Sequence, residues 1–109
     1  NSAKNNWAIS WIITLQYDST VDQLKTIRNE IEAYINSSED YDTKVGVAVR
    51  VDKFSDSSID MYVRCFTKSN SWNEWLSVKE RLAIEIKKIV EKNKASFAFP
   101  SSSIYIEKK

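Results

Sequence analysis

Two stretches of alternating apolar and polar residues stand in the middle of the chain, with the polar segment Ser55–Ser58 between them. Their apolar positions are Val45, Val47, Val49 and Val51 in the first, and Ile59, Met61, Val63 and Cys65 in the second. A side-chain period of two with many β-branched residues is typical of strands. We therefore predict a hairpin over Val45–Phe66 in which Val49 faces Val63. That register buries one whole face of the pair.

An apolar run at residues 11–17 predicts an earlier strand, and its start, Trp11–Ile13, favours a position inside the sheet rather than at an edge. Thr20 and Gln23 then fit a capping box that opens a helix of about 15 residues, with Ser19 as the competing cap. The apolar positions of this helix recur at three- and four-residue spacing: Val21, Leu24, Ile27, Ile31, Tyr34 and Ile35. The polar segment Asn36–Asp42 is predicted to be a loop.

Ser71 and Glu74 form a second capping box, which opens a helix of about 20 residues. Its apolar stripe is Trp72, Trp75, Leu76, Leu82, Ala83, Ile86, Ile89 and Val90, with Lys79 as the one charge. The order strand, helix, strand, strand, helix predicts an α+β fold, the ferredoxin-like split βαβ arrangement. Right-handed crossovers put both helices on the apolar face of the sheet. The other face, with Asp60 and Arg64, suits water or a polar partner.

The 109 residues form one domain by length. We assign residues 1–9 to a linker from a preceding domain, 10–99 to the α+β body and 100–109 to a terminal strand and tail. The 16 basic and 15 acidic residues nearly cancel, which gives no electrostatic case for binding nucleic acid or a membrane surface. The chain has no signal-peptide pattern and no apolar run of transmembrane length, and we expect it to be a fragment of a longer protein.

Residues that could carry chemistry are few. Histidine, the commonest general base and metal ligand, is absent. The single cysteine, Cys65, lies on the apolar face of a strand and is predicted to be buried and inert. Asp40 and Asp42 lack the glycine and the distal glutamate that a calcium loop requires. We therefore predict no catalytic, cofactor-binding or metal site, and no enzyme activity.

The end of the chain reads Phe97-Ala98-Phe99-Pro100-Ser101 and then Ser103-Ile104-Tyr105-Ile106-Glu107. It resembles the closing signature of the small-conductance mechanosensitive channel family, in which an aromatic run leads into a short strand. Three earlier segments agree with that family in order and spacing: Tyr17–Thr20 with Leu24, Phe54–Asp60 with Val63 and Arg64, and Trp72–Leu76 with Arg81 and Leu82. The chain departs from the family at residues 101–103, which are all serine where a basic residue is common.

The resemblance implies the cytoplasmic C-terminal domain of a tension-gated channel in the inner membrane, with a role in osmotic-shock protection. In that family seven copies form a hollow vestibule beneath the pore, and their terminal strands assemble into a small barrel. It implies a homo-oligomer, a heptamer, that reaches the membrane only through segments absent from this chain. We expect Pro100 to end the globular body and Ser102–Glu107 to be an assembly strand. The interface candidates are Phe97, Phe99, Pro100, Ile104, Tyr105 and Ile106.

Two other functions share this order of elements. RNA-recognition modules stack bases on aromatic residues of a characteristic third-strand motif, which the run Ile59–Phe66 lacks. We therefore expect no nucleic-acid partner. A small-ligand regulatory domain is the other alternative, since this fold is common among such modules but does not by itself give a function.

Overall fold

The structure is a computed structural model that describes residues 7–98. Its elements are β1 (Trp7–Gln16), α1 (Val21–Ser37), β2 (Val47–Phe54), β3 (Ser58–Thr67) and α2 (Trp72–Lys92). The strands form one sheet in the order β1-β3-β2, and β3 is antiparallel to both neighbours. β1 and β2 are therefore parallel, with α1 as their crossover. The predicted α+β, ferredoxin-like order is confirmed.

The hairpin register is the predicted one: Val49 lies opposite Val63, with Val47 opposite Cys65 and Val51 opposite Met61. The burial of this face is less complete than the pattern predicted. Val49, Val63 and Met61 are buried, but Val51 is 40% exposed. The register shifts immediately after Val51, and such a bulge bends the strand. The end of β2 therefore leaves the cover of the helices.

β1 begins at Trp7, four residues before the predicted strand, and lies at an edge of the described sheet. The apolar run predicted an interior position for β1. This prediction is wrong, because β3 is the central strand of the three. The apolar run therefore does not reflect burial on both faces of the sheet. Ile13 faces the helices and is buried, whereas Ile12 points to the opposite face and is 52% exposed.

The two helix starts differ in their caps. At α1 the box is complete, because Gln23 N–H donates to Thr20 Oγ1 at 3.1 Å and Thr20 N–H donates to Gln23 Oε1 at 2.8 Å. At α2, Glu74 N–H donates to Ser71 Oγ at 3.2 Å, but the Glu74 carboxylate accepts from Asn70 N–H instead of from the cap residue. Ser71 is therefore the N-cap, as predicted, with only half of the predicted box.

One core lies between the sheet and the two helices. Its fully buried side chains include Ile9, Leu15, Ile27, Ile31, Ile35, Val49, Met61, Val63, Cys65, Leu82 and Val90. The buried apolar residues of the sheet all project from the same face, which is why both helices pack there. Val78 joins this core although the predicted stripe omitted it, and Val21 and Trp72, at the helix starts, are exposed.

Candidate oligomer interface

The chain turns sharply at the end of α2 and is directed towards β1. Lys94 follows the C-cap Asn93 and has a φ of 63°. Its N–H donates to Glu91 O at 3.0 Å, and Ala95 N–H donates to Val90 O at 3.1 Å. This pair of bonds is a Schellman motif, whose left-handed position normally carries glycine. A lysine there costs on the order of 1 kcal/mol in backbone strain.

Contacts with α1 hold this turn in place. Asn93 Nδ2 donates to Glu30 Oε1 at 3.1 Å, and Lys92 Nζ lies 3.0 Å from Glu30 Oε2. Gln23 Nε2 donates to Asn93 O at 2.9 Å, so a residue of the α1 capping box also grips the end of α2. The hydrogen bond from Lys92 lowers the pKa of Glu30, against the opposing effect of its partial burial. The two helices therefore fix the point at which the chain leaves α2.

The next residues lie along the outer edge of β1. Gln16 N–H donates to Ser96 O at 2.9 Å, and Ala98 N–H donates to Thr14 O at 2.9 Å. Between these bonds, Leu15 and Phe97 form an antiparallel bridge. This short pairing partly covers the edge of β1 and places Phe97 on the helix side of the sheet, where it packs against the core.

Phe97 also borders an open apolar groove of about 320 Å³ between β1 and α2, called here the β1–α2 groove. The groove is lined by Trp11, Ile13, Ala83, Ile86, Lys87 and Phe97. Phe97 is the one predicted interface residue that the structure describes. The other five, Phe99, Pro100, Ile104, Tyr105 and Ile106, lie outside the described residues. The predicted assembly strand and residues 1–6 of the predicted linker lie outside them as well.

Trp75 ties the opposite end of β1 to the start of α2. Its Nε1–H donates to Ala8 O at 3.1 Å, and its ring lies 5.6 Å from that of Trp7. Lys79 Nζ lies 4.2 Å from the Trp75 ring centroid, a cation–π contact. Trp75 is therefore an anchor at the rim of the core.

The loop between α1 and β2 contributes more than its polar composition predicted. Tyr41 is 2% exposed and bridges to Thr67, and burial raises the pKa of its hydroxyl well above the ordinary range. Asp40 pairs with Arg81 of α2 at 2.9 Å. A lone aromatic residue within a polar loop was the available signal for a core contact. Nothing local in the sequence pointed to the partner of Arg81.

The hairpin turn gives a structural reason for its serine-rich motif. Asp60 accepts hydrogen bonds from Ser55 Oγ at 2.8 Å and from Ser58 Oγ at 3.0 Å. The alternation placed Asp60 on the open face with water, but only 7% of it is exposed. Hydrogen bonds from the two serine hydroxyls take the place of hydrogen bonds to water, and through them the Asp60 carboxylate closes the turn.

The described residues contain little that could bind a metal or act as a nucleophile. Within residues 7–98 no group of three potential metal ligands comes together. Cys65 is fully buried, as predicted, and burial raises the pKa of its thiol to about 12. No helix in the same range is long and apolar enough to cross a membrane.

The described residues form an α+β domain with a ferredoxin-like order of elements, in which residues 96–98 pair with the outer edge of β1. The family model described as "Mechanosensitive ion channel MscS, C-terminal" matches residues 9–97. The chain therefore belongs to the MscS mechanosensitive channel family and corresponds to its C-terminal domain. The members of this family are channels and not enzymes, which confirms the prediction of no enzyme activity.

Two curated relatives show the extent of the match. An uncharacterized MscS family protein of Helicobacter pylori is 43% identical over 91 residues, which are 83% of this chain and 15% of that protein. The low conductance mechanosensitive channel YnaI of Escherichia coli is 30% identical over 102 residues, which are 94% of this chain and 29% of YnaI. The chain thus spans less than a third of the length of either relative.

Solved structures share the fold. The cryo-EM structure of Arabidopsis thaliana MSL1 matches with a TM-score of 0.80 at 22% identity. The match covers 92% of this chain and 36% of the MSL1 chain. The crystal structure of Helicobacter pylori MscS in the closed state matches with a TM-score of 0.66 at 18% identity. The match covers 87% of this chain and 36% of the Helicobacter pylori MscS chain. At these identities the likeness establishes the fold alone.

Proposed function

We propose that this chain is the cytoplasmic part of a tension-gated channel and helps to assemble a closed homo-oligomeric vestibule beneath the pore. The observation that carries the proposal is the family match over residues 9–97, supported by the similarity to the channel YnaI. The parent protein would lie in the inner (plasma) membrane, form a heptamer and protect the cell against osmotic shock. Its pore and membrane helices would belong to segments beyond this chain.

The terminal segment is the proposed means of assembly. Pro100 has no N–H to donate, so a strand cannot continue through it unchanged. In Ser102–Glu107 the side chains of Ile104 and Ile106 would point to one side of an extended strand and Tyr105 to the other. A strand this short gains little alone, but a closed ring of copies pairs every edge. Phe97, Phe99 and Pro100 would then set the angle at which each copy joins the ring.

The body supports this role because both ends of β1 are fixed. Trp75 bonds to Ala8 at one end, and the segment after α2 bonds to Thr14 and Gln16 at the other. A strand held in this way gives the terminal segment a defined starting point on each copy. Defined starting points favour one ring geometry over many.

Cysteine cross-linking in the parent channel tests the assembly. The protein would carry Cys65→Ser and Ser103→Cys and would be oxidised in native membranes. We expect a ladder of oligomers that reaches seven copies. Ile104→Asp should suppress the ladder, whereas Lys108→Gln, which changes the net charge by the same amount beyond the predicted strand, should leave it intact. A ladder that ends at another number would overturn the heptamer, and no cross-linked species at all would overturn the assembly strand.

The channel role is tested separately, by patch recording and by survival after hypo-osmotic shock. We expect the parent protein to give tension-activated currents and to rescue cells that lack their own such channels. Loss of residues 100–109 should reduce the number of active channels more than the conductance of each, because the pore lies elsewhere. Absence of tension-activated current from a correctly inserted parent protein would contradict the channel role.

A further inference from the structure

Two exposed aromatic rings pack against each other at the end of β2. Phe54 is the last residue of β2, Tyr17 directly follows β1, and their ring centroids lie 6.2 Å apart in an edge-to-face arrangement. Phe54 is 65% exposed and Tyr17 is 59% exposed. Val51, three residues before Phe54, and Val21, four residues after Tyr17, are exposed as well. Exposed apolar residues that lie together, rather than scattered singly, mark an interaction surface.

A second apolar surface borders the opposite edge of the sheet. The β1–α2 groove has a volume of about 320 Å³, and Lys87 is the one charged residue among the six that line it. In the sheet order β1-β3-β2 the groove lies beside one edge strand, whereas Phe54 ends the other. Phe54 is held opposite Ile59 of β3, so its ring cannot cross the sheet to the groove of its own chain. An aromatic ring that fills this groove from Phe54 must come from another copy.

The charges around the two surfaces are opposite in sign. The segments 17–22 and 52–56, which contain the aromatic pair, carry four aspartates and one lysine. Residues 87–94, at the groove end of α2, carry four lysines and one glutamate. Lys87 lies 2.7 Å from Glu91, but an exposed pair of this kind stabilises little and leaves the lysine able to exchange partners. Opposite charges on two surfaces favour their approach in one orientation.

A closed ring of more than two identical copies needs two different surfaces that fit each other. We propose that the aromatic pair Tyr17–Phe54 of one copy docks into the β1–α2 groove of the next copy. The ring of Phe54 enters the groove, and the aspartates beside it face the lysines at the end of α2. This contact rests on the proposed function, because it takes the channel to be a ring of identical copies.

The contact also acts on the segment after α2. Phe97 forms part of the groove, and the residues on either side of it bond to β1. An aromatic ring from the neighbouring copy packs against Phe97 and holds this segment on the edge of β1. Assembly of the bodies therefore fixes the point from which each terminal segment starts.

Cross-linking between two different sites tests the contact. A parent channel freed of other cysteines, with Cys65→Ser, would carry Ser57→Cys near Phe54 and Ala83→Cys in the groove, and its membranes would be treated with a short bismaleimide. We expect a ladder of linked copies from the pair of cysteines and none from either cysteine alone, because the contact joins unlike surfaces. Ala33→Cys replaces an exposed alanine on α1 and is the matched control for Ala83→Cys. A ladder from a single cysteine, or an equal ladder with Ala33→Cys, would overturn the proposal.

Variants of the double-cysteine protein test the chemistry of the contact. Phe54→Ala should lower the yield of linked copies several-fold, since aromatic anchors in pockets supply most of the energy of an interface. Ile12→Ala is the control, because Ile12 is also an exposed apolar residue of a strand but lies on the other face of the sheet. Lys87→Glu should lower the yield more than Lys88→Glu, which changes an exposed lysine outside the groove lining. Equal yields for Phe54→Ala and Ile12→Ala would overturn the proposal.

The Ser103→Cys ladder separates a failure of this contact from a failure of the proposed function. If that ladder forms and the ladder from Ser57→Cys with Ala83→Cys does not, the copies assemble through another surface and only the present proposal is overturned. If neither ladder forms and the parent protein gives no tension-activated current, the proposed function is overturned together with the contact.

Discussion

Asn93 Nδ2 lies 3.1 Å from Glu30 Oε1 and joins the end of α2 to the middle of α1. Lys92 binds the other oxygen of the same carboxylate at 3.0 Å. One glutamate thus holds two consecutive residues at the point where the chain turns towards β1. The path of residues 94–97 towards β1 starts from this contact.

The Glu30 contact should make stability depend on pH. The folded pKa of Glu30 is lowered, so its contribution is present above the unfolded value of about 4.3 and is lost as the pH falls through the folded pKa. We expect the urea midpoint of Glu30→Gln to be lower than that of the wild type at pH 6. The difference between the two midpoints should become smaller as the pH is lowered. Glu80→Gln, on the exposed side of α2, is the charge-matched control. Parallel pH profiles for Glu30→Gln and the wild type would contradict the prediction.

Lys94→Gly should stabilise the protein. Lys94 holds a left-handed φ that glycine adopts without a steric penalty, and the substitution should raise the free energy of unfolding by about 0.5–1 kcal/mol. Lys88→Gly, on an exposed turn inside α2, should have the opposite sign and cost about 1 kcal/mol. Denaturant unfolding of both variants is the measurement. Destabilisation by both substitutions would show that the Lys94 side chain matters more than its backbone.

Ser71→Ala should lower the free energy of unfolding by about 1 kcal/mol, because Glu74 N–H loses its acceptor at the start of α2. Ser77→Ala is the control, since alanine is a better helix former than serine at an exposed interior position. Urea midpoints report both effects. If Ser71→Ala and the wild type have the same midpoint, the cap does not stabilise the helix.

The Cys65 thiol should react slowly in the folded protein. It is fully buried and its pKa is raised to about 12, so both access and thiolate formation are suppressed. We expect labelling at pH 8 to be slower than in urea by a factor on the order of 10³ or more. An exposed thiol, made by Ser77→Cys with Cys65→Ser, provides the fast reference. Labelling of Cys65 at the reference rate would contradict its burial.

The sequence by itself determined the elements and the register of the hairpin. Alternation at residues 45–66 allows one pairing that joins valines to the apolar row of β3, and Val49 does lie opposite Val63. Thr20 and Ser71 marked both helix starts because a cap acts on amide groups only two or three residues away. Periodicity and capping are local, so they can be recognised without knowledge of the fold.

Only the tertiary structure decided which of these residues are covered and where the chain leaves the body. The sequence of β1 predicted an interior strand, yet within residues 7–98 its outer edge pairs only with residues 96–98. Asp60 looked exposed, yet two serine hydroxyls replace its water. Glu30 meets Asn93 across 63 residues of sequence. Burial and long-range partners depend on how the elements pack, and no local pattern encodes that packing.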